Sequence, residues 1–265
     1  MKALRDDLDL DVFFRRVAAA SARVLLLDYD GTLAPFREER DQAVPYPGVR
    51  EAVRAHLEDG RSRVVVVSGR AIEALRPLLG IEPPPEIWGN HGWERWVPGR
   101  GLERTDPGEA ARRGLRRGRQ GAEDAVPGDR VELKPVSVAV HTRGLGEEEA
   151  EALLRPVRGA WEPIARAAGL ELHAFDGGLE LRVPGRDKGT AVRAILDAEP
   201  EDAVVAYLGD DRTDEDAFEV LGALGDRALR VLVRPELRDT AADLWIRPPG
   251  ELVALLDRWR AATGD

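Results

Sequence analysis

Four short, almost wholly apolar runs punctuate the chain, at Val24–Leu27, Arg63–Val67, Ala203–Leu208 and Ala228–Val233. Each is strand-sized and bounded by turn residues, the pattern of strands buried on both faces. Between or after them lie amphipathic stretches with helical spacing near 48–59, 71–79, 188–198, 214–221 and 250–262. Strand and helix in alternation predict an α/β core, a parallel sheet with helices on both faces. From about Trp96 to Val183 the pattern changes. Val136–His141 and Leu179–Val183 alternate apolar and polar residues, a Gly/Pro/Arg-rich stretch fills 98–130, and one long helical segment spans Glu147–Ala168. Alternation marks an antiparallel sheet with one open face. The expected organisation is therefore a discontinuous core, 1–95 and 184–265, interrupted by an inserted α+β module at 96–183.

Composition narrows the class. The 265 residues are 43% hydrophobic and 33% charged, as in an ordinary globular protein, with a formal net charge of -10 that argues against non-specific nucleic-acid binding. The basic cluster Arg112–Arg119 reads as a solvated helix face or loop. No apolar run approaches the roughly 18 residues of a membrane span, and the Asp-rich amino terminus lacks a signal-peptide layout. Cysteine is absent, which excludes disulfides and thiolate metal sites. A cytoplasmic, monomeric protein is expected, without nucleic-acid or membrane partners. Basic residues are almost all Arg; the lysines are Lys2, Lys134 and Lys188. A compact ammonium does what a planar guanidinium cannot, so the two interior lysines stand out.

Chemistry gathers where the apolar runs end. The first run stops in Asp28-Tyr29-Asp30-Gly31-Thr32. Carboxylates this close repel unless something positive lies between them, so the pair implies a metal ion, a shared proton or both. A divalent cation beside an aspartate nucleophile suits phosphoryl transfer through an aspartyl-phosphate. The second run ends in Ser68-Gly69-Arg70, where Ser68 reads as a helix N-cap, as part of an anion site, or as both. In Gly185-Arg186-Asp187-Lys188-Gly189, Asp187 fits an N-cap, whereas Lys188 falls in a first helical turn, where the dipole disfavours a cation. A phosphate or a carboxylate pair opposite the ammonium explains that placement. The third run continues into Gly209-Asp210-Asp211-Arg212-Thr213-Asp214-Glu215-Asp216. Thr213 with Asp216 forms a capping-box pattern that accounts for the later acids but not for Asp210 and Asp211. Hard oxygen ligands point to Mg2+.

These four segments, in this order, resemble the motifs of the haloacid dehalogenase superfamily, with a Rossmann-like core carrying an inserted cap. The resemblance implies that Asp28 is the nucleophile and Asp30 the general acid/base. It implies that Ser68 and Lys188 hold the transferring phosphoryl group, and that Mg2+ is bound by Asp28, Asp30 and Asp210 with Asp211 or Asp214 in support. Thr32, Gly69 and Arg70 then line the substrate.

Three further segments, Gly89–Glu94 with His91, Val131–Ser137 continuing to His141-Thr142-Arg143, and Gly178–Val183, resemble the trehalose-6-phosphate phosphatase family. That resemblance implies a cap that closes over the site, excludes water and reads the sugar through Glu132, Lys134 and Glu180, with His91 also on the substrate side. It implies Mg-dependent hydrolysis of trehalose 6-phosphate to trehalose and phosphate, the last step of trehalose biosynthesis. Alternatives are the same chemistry on sucrose 6-phosphate or a glycosyl-3-phosphoglycerate, and a non-enzymatic receiver module. Glu132 and Glu180 also suit an open sheet face with no ligand. No synthase-sized domain is present in the chain.

Overall fold

Consecutive residues of the apolar runs pack to opposite faces, and both faces are covered. In the computed structural model, which describes residues 1–37, 39–175 and 177–264, Leu25, Leu27, Val64 and Val66 meet α1 (Leu10–Ala19), α2 (Val49–Asp59), α3 (Ile72–Leu79) and α8 (Gly250–Ala262). Val24, Leu26, Val65 and Val67 meet α6 (Lys188–Leu196) and α7 (Glu215–Gly222) on the other side. Burial on both sides is why these runs carry no polar alternation.

The sheet has nine strands, in the order β1 (Lys2–Ala3), β13 (Leu244–Ile246), β12 (Ala228–Val233), β11 (Val204–Gly209), β2 (Arg23–Leu27), β3 (Arg63–Val67), β4 (Glu86–Gly89), β5 (Glu94–Val97) and β6 (Gly101–Arg104). Strands β13 through β4 are parallel, while β1 and β5 join antiparallel. The carboxyl ends of four adjacent parallel strands therefore line up, with Asn90, Ser68, Asp28 and Asp210 as the first residues beyond β4, β3, β2 and β11. That edge is where open parallel sheets bind ligands.

A second sheet is antiparallel, in the order β7 (Val131–Leu133), β8 (Ser137–His141), β10 (Gly178–Arg182), β9 (Glu171–Phe175). Helices α4 (Glu109–Glu123) and α5 (Glu147–Ala168) pack on one of its faces. The chain divides into two compact units, Met1–Glu103 with the segment from Asp187 onward, and Arg104–Arg186. The expected boundaries were 95/96 and 183/184; the first lies further along because β5 and β6 extend the large sheet.

Helix α4 occupies the Gly/Arg-rich stretch that reads as featureless in sequence. Its glycines permit close helix packing: a Cβ on Gly114 would lie 2.5 Å from Ala168 Cβ, and one on Gly118 2.5 Å from Leu181 Cδ2. The indole of Trp161 donates to the Gly118 carbonyl at 2.7 Å. No described helix is long and apolar enough to cross a membrane.

Candidate active site

Lys188 is the hub of the core unit. It is the first residue of α6, after an N-cap in which the Asp187 carboxylate accepts from Thr190 N at 2.7 Å. Buried at the sheet edge, its ammonium donates to Asp28 Oδ1 and to Asp214 Oδ1, each at 2.7 Å. Burial pulls the ammonium towards deprotonation, but Asp214 and Asp28 more than reverse this and hold its pKa above the ordinary value. The unfavourable first-turn position is thus answered by two carboxylates.

Asp28, just beyond β2, is buried, and its other oxygen accepts from the Thr32 hydroxyl at 3.1 Å. Burial pushes its pKa up to about 7 against the pull of Lys188, with Asp214 adding to the rise. Asp210 is also buried. Burial, followed by the charges of Asp28 and Asp214, holds its pKa well above the ordinary range, and its Oδ1 has no hydrogen-bond partner among the described residues.

Carboxylate oxygens of Asp28, Asp210 and Asp214 all lie within 4.8 Å of one another. Three carboxylates against one ammonium leave two negative charges, and a divalent cation would neutralise them. The donor set is all hard oxygen, and the unpartnered Asp210 oxygen offers a free lone pair. Gly31, at φ +81°, keeps the space beside it open: a Cβ there would fall 2.0 Å from Asp210 Oδ2. The residues fit a divalent cation.

Asp214 itself is saturated. Its Oδ1 accepts from Lys188 and, at 2.6 Å, from the Tyr207 hydroxyl, while Oδ2 accepts from the backbone N–H of Asp210 and Asp211 at 2.9 Å. It holds the lysine and the 209–211 turn rather than presenting free lone pairs to a metal. Asp211 lies outside the trio; its carboxylate accepts from Arg212 N at 2.6 Å and caps the short turn Arg212–Asp214. The capping arrangement is Asp211 with Asp214, in place of the Thr213 and Asp216 pairing that the sequence pattern indicated.

Asp30 is held apart from this cluster. Arg70 grips it with two hydrogen bonds of 2.6 Å, Nε to Oδ2 and Nη2 to Oδ1. Arg70, expected to line the substrate, is thereby committed to the acid two residues beyond Asp28. Ser68 is not a helix cap: the N-cap of α3 is Ala71 without a side-chain bond, and Glu94 Oε2 accepts from Ile72 N at 2.9 Å instead. Ser68 Oγ accepts from Arg70 N at 3.1 Å, which leaves its hydroxyl proton available to an anion. His91, at φ +55°, seats its ring against Gly69, where a Cβ would lie 2.8 Å from Cε1 and Nε2. Its N–H donates to the Ser68 carbonyl and that of Asn90 to the Arg70 carbonyl, so this turn braces the Ser68–Arg70 loop.

In the second unit, Lys134 Nζ lies 3.2 Å from Glu180 Oε1 and 3.7 Å from Glu132 Oε2. Ser137 Oγ donates to Glu180 Oε1 at 2.7 Å, and His141 Nε2 lies 3.2 Å from Glu132 Oε2. The three expected residues thus share one network on the sheet face opposite the helices. Arg182, two residues after Glu180 and so on the same face, keeps Nε and Nη1 without partners among the described residues.

The trehalose-phosphatase family profile matches residues 26–236. The chain belongs to that family. It is 33% identical over 280 residues to rice (Oryza sativa subsp. japonica) "Probable trehalose-phosphate phosphatase 9", spanning 92% of this chain and 71% of that one. It is 34% identical over 224 residues to the bifunctional trehalose-6-phosphate synthase/phosphatase of Thermoproteus tenax, covering 83% of this chain but only 30% of that longer protein. In fold it is similar to the trehalose-6-phosphate phosphatase C-terminal domain of C. albicans, with TM-score 0.79, 18% identity and coverage of 100% and 99% of the two chains.

The structure brings together Asp28, Lys188, Asp210 and Asp214, and pairs Asp30 with Arg70. Sequence reasoning gave no individual role to Tyr207, Asn90, Ser137, His141 or Arg182. A tyrosine inside an otherwise apolar strand was the available signal for Tyr207, because a buried hydroxyl needs a partner.

Proposed function

We propose that this chain hydrolyses trehalose 6-phosphate to trehalose and phosphate, with Asp28 as nucleophile, Asp30 as general acid and base, and Mg2+ as cofactor. The observation that carries the reading is the buried Asp28–Lys188–Asp214 cluster with a third carboxylate, Asp210, whose Oδ1 has no hydrogen-bond partner among the described residues. Family membership supplies the sugar. Asp28, the backbone carbonyl of Asp30 and the Asp210 carboxylate would hold the metal, with Asp214 in support. Bound there, it would withdraw charge from the phosphoryl oxygens and allow Asp28 to stand ionised before them.

In the first half-reaction an Asp28 carboxylate oxygen bonds to phosphorus, the bond from phosphorus to the sugar oxygen breaks, and Asp30 gives its proton to that oxygen. In the second, a water oxygen bonds to phosphorus, the acyl phosphate bond breaks, and Asp30 takes the proton from water. The bidentate Arg70 pair suits the carboxylate form of Asp30, the one that activates water. When Asp30 carries its proton, one of those two acceptor oxygens becomes a hydroxyl, so Arg70 must yield one bond. The third N–H of Lys188, the Ser68 hydroxyl and the Gly69 N–H serve the equatorial phosphoryl oxygens, where charge accumulates.

Glu132, Lys134 and Glu180 read the sugar, since charged acceptors and donors pair its hydroxyls and reject analogues that lack them. The enzyme acts as a cytoplasmic monomer on a small phosphosugar. Phosphate release from trehalose 6-phosphate, with Mg2+ and with chelator, tests the reading alongside sucrose 6-phosphate and a glycosyl-3-phosphoglycerate. Metal-dependent release fastest on trehalose 6-phosphate is expected; a faster rate on either alternative would overturn the substrate, and Asp28→Asn at wild-type rate would overturn the mechanism.

A further inference from the structure

Tyr207 is the one residue of the hydrogen-bonded cluster that comes from the middle of a strand. Its side chain is buried among the apolar residues beneath α6 and α7, with its ring edge-on to Phe218 at 5.7 Å and 89°. Its hydroxyl alone is polar, and it donates to Asp214 Oδ1 at 2.6 Å, the same oxygen that takes the Lys188 ammonium at 2.7 Å. The opposite oxygen of Asp214 is fixed by two backbone N–H groups.

We propose that Tyr207 is a positioning residue for phosphoryl transfer, acting through Asp214 to set where the Lys188 ammonium sits. The inference rests on the reading of Lys188 as a phosphoryl ligand.

Lys188 and Tyr207 share one acceptor, Asp214 Oδ1. Lys188 has three N–H donors, of which two go to Asp28 and Asp214, leaving the third for a phosphoryl oxygen. With Tyr207 on Asp214 Oδ1, part of that oxygen's demand is met without the lysine, and the ammonium stays divided between the two aspartates. Without the hydroxyl, Asp214 Oδ1 is a buried anionic oxygen served by Lys188 alone, so the ammonium is drawn towards Asp214 and away from the nucleophile and its phosphoryl group. Charge on the equatorial oxygens is greatest in the transition state, so displacement of Lys188 weakens the transition state more than the bound substrate.

Tyr207→Phe removes one oxygen and keeps the ring and its Phe218 contact. In Mg2+, kcat is expected to fall roughly tenfold with KM within about twofold, the split that marks loss of a transition-state contact. Inhibition by orthovanadate, which mimics the five-coordinate phosphorus, should weaken by the same factor in folded protein of unchanged circular dichroism. In an Asp214→Asn background the Tyr207→Phe change should add no further loss, because a neutral amide no longer draws the ammonium away from Asp28. A wild-type kcat in the variant, a lower kcat with unchanged vanadate affinity, or the same tenfold loss in Asp214→Asn would each overturn the inference. Turnover is read on p-nitrophenyl phosphate as well as on trehalose 6-phosphate, and vanadate affinity also by thermal shift. A failure of the substrate reading then shows as inactivity on the sugar phosphate alone, while the Tyr207 comparison proceeds on the other two.

Discussion

The carboxylate cluster makes a quantitative prediction about stability without metal. Asp28 rises from an ordinary 3.8 to about 7 in the folded chain, chiefly through burial. A carboxylate with a raised folded pKa binds more protons folded than unfolded, so it lowers stability as pH climbs from about 4 to about 7, and the full cost stands above that window. At about 1.4 kcal/mol per pH unit, the shift amounts to roughly 4 kcal/mol at pH 8. In Asp28→Asn the side chain stays neutral at every pH and this cost vanishes. The variant should therefore be the more stable by about 2 kcal/mol at pH 5 and by roughly 4 kcal/mol at pH 8, where the gap is on the order of 10 °C at about 2–4 °C per kcal/mol.

The comparison is made between the two proteins because other groups titrate in the same interval. Burial lowers the pKa of His56, so its contribution makes stability rise with pH towards 6.5, against the trend of Asp28. Both proteins carry that term, and the difference removes it. Scanning calorimetry in chelator at pH 5, 6, 7 and 8 gives the difference directly. Adding Mg2+ at about a hundred times its Kd should restore about 2.7 kcal/mol to the wild type and less to the variant. A difference that stays constant from pH 5 to pH 8 would refute the claim that Asp28 is charged at a cost in the metal-free protein.

Asp30→Asn should lower kcat on trehalose 6-phosphate by about 10²- to 10⁴-fold, yet leave a stoichiometric nitrophenolate burst on p-nitrophenyl phosphate, whose leaving group needs no proton. Loss of the burst in stopped flow would count against the acid role. Gly31→Ala places a Cβ 2.0 Å from Asp210 Oδ2 at φ +81°, and should abolish the thermal shift given by Mg2+; an undiminished shift would mean the metal does not use Asp210. Asn90 is buried at φ +48° with neither side-chain polar atom partnered among the described residues. Asn90→Gly keeps that backbone conformation and removes both orphaned atoms, so urea unfolding should show a gain of about 1 kcal/mol; a clear loss would mean that the amide is held by ordered water.

The core of the fold was legible because its strands are buried on both faces, which leaves continuous apolar runs, and because the chemistry begins where those runs stop. Asp28, Ser68 and Asp210 each follow a strand directly, so strand position and site position were a single inference. Strands β5 and β6 were not legible: they are short and half-exposed, and they join the large sheet through the pairing of β5 with β4 and of β6 with β5. Helix α4, whose basic cluster reads as either a helix face or a loop, was left open for a different reason. Its glycines weaken helix propensity, and what they permit, contact with Ala168 and Leu181, comes from residues tens of positions away.

Within the site, residue types were readable and partnerships were not. Asp28 and Asp30 look alike in sequence, two aspartates flanking a tyrosine, and the separate roles proposed for them rest on what comes to each across the fold. Lys188 meets Asp28 from 160 positions along the chain, and Arg70 meets Asp30 from 40. An ammonium on one oxygen and a threonine hydroxyl on the other leave Asp28 with lone pairs to offer a metal and phosphorus. A guanidinium on both oxygens keeps Asp30 out of the carboxylate trio. The same reasoning separates Asp210 from Asp214: both are buried acids of one turn, but four donors occupy Asp214, while Asp210 Oδ1 meets none among the described residues. A ligand oxygen for a cation is thus distinguished from a structural carboxylate by counting donors.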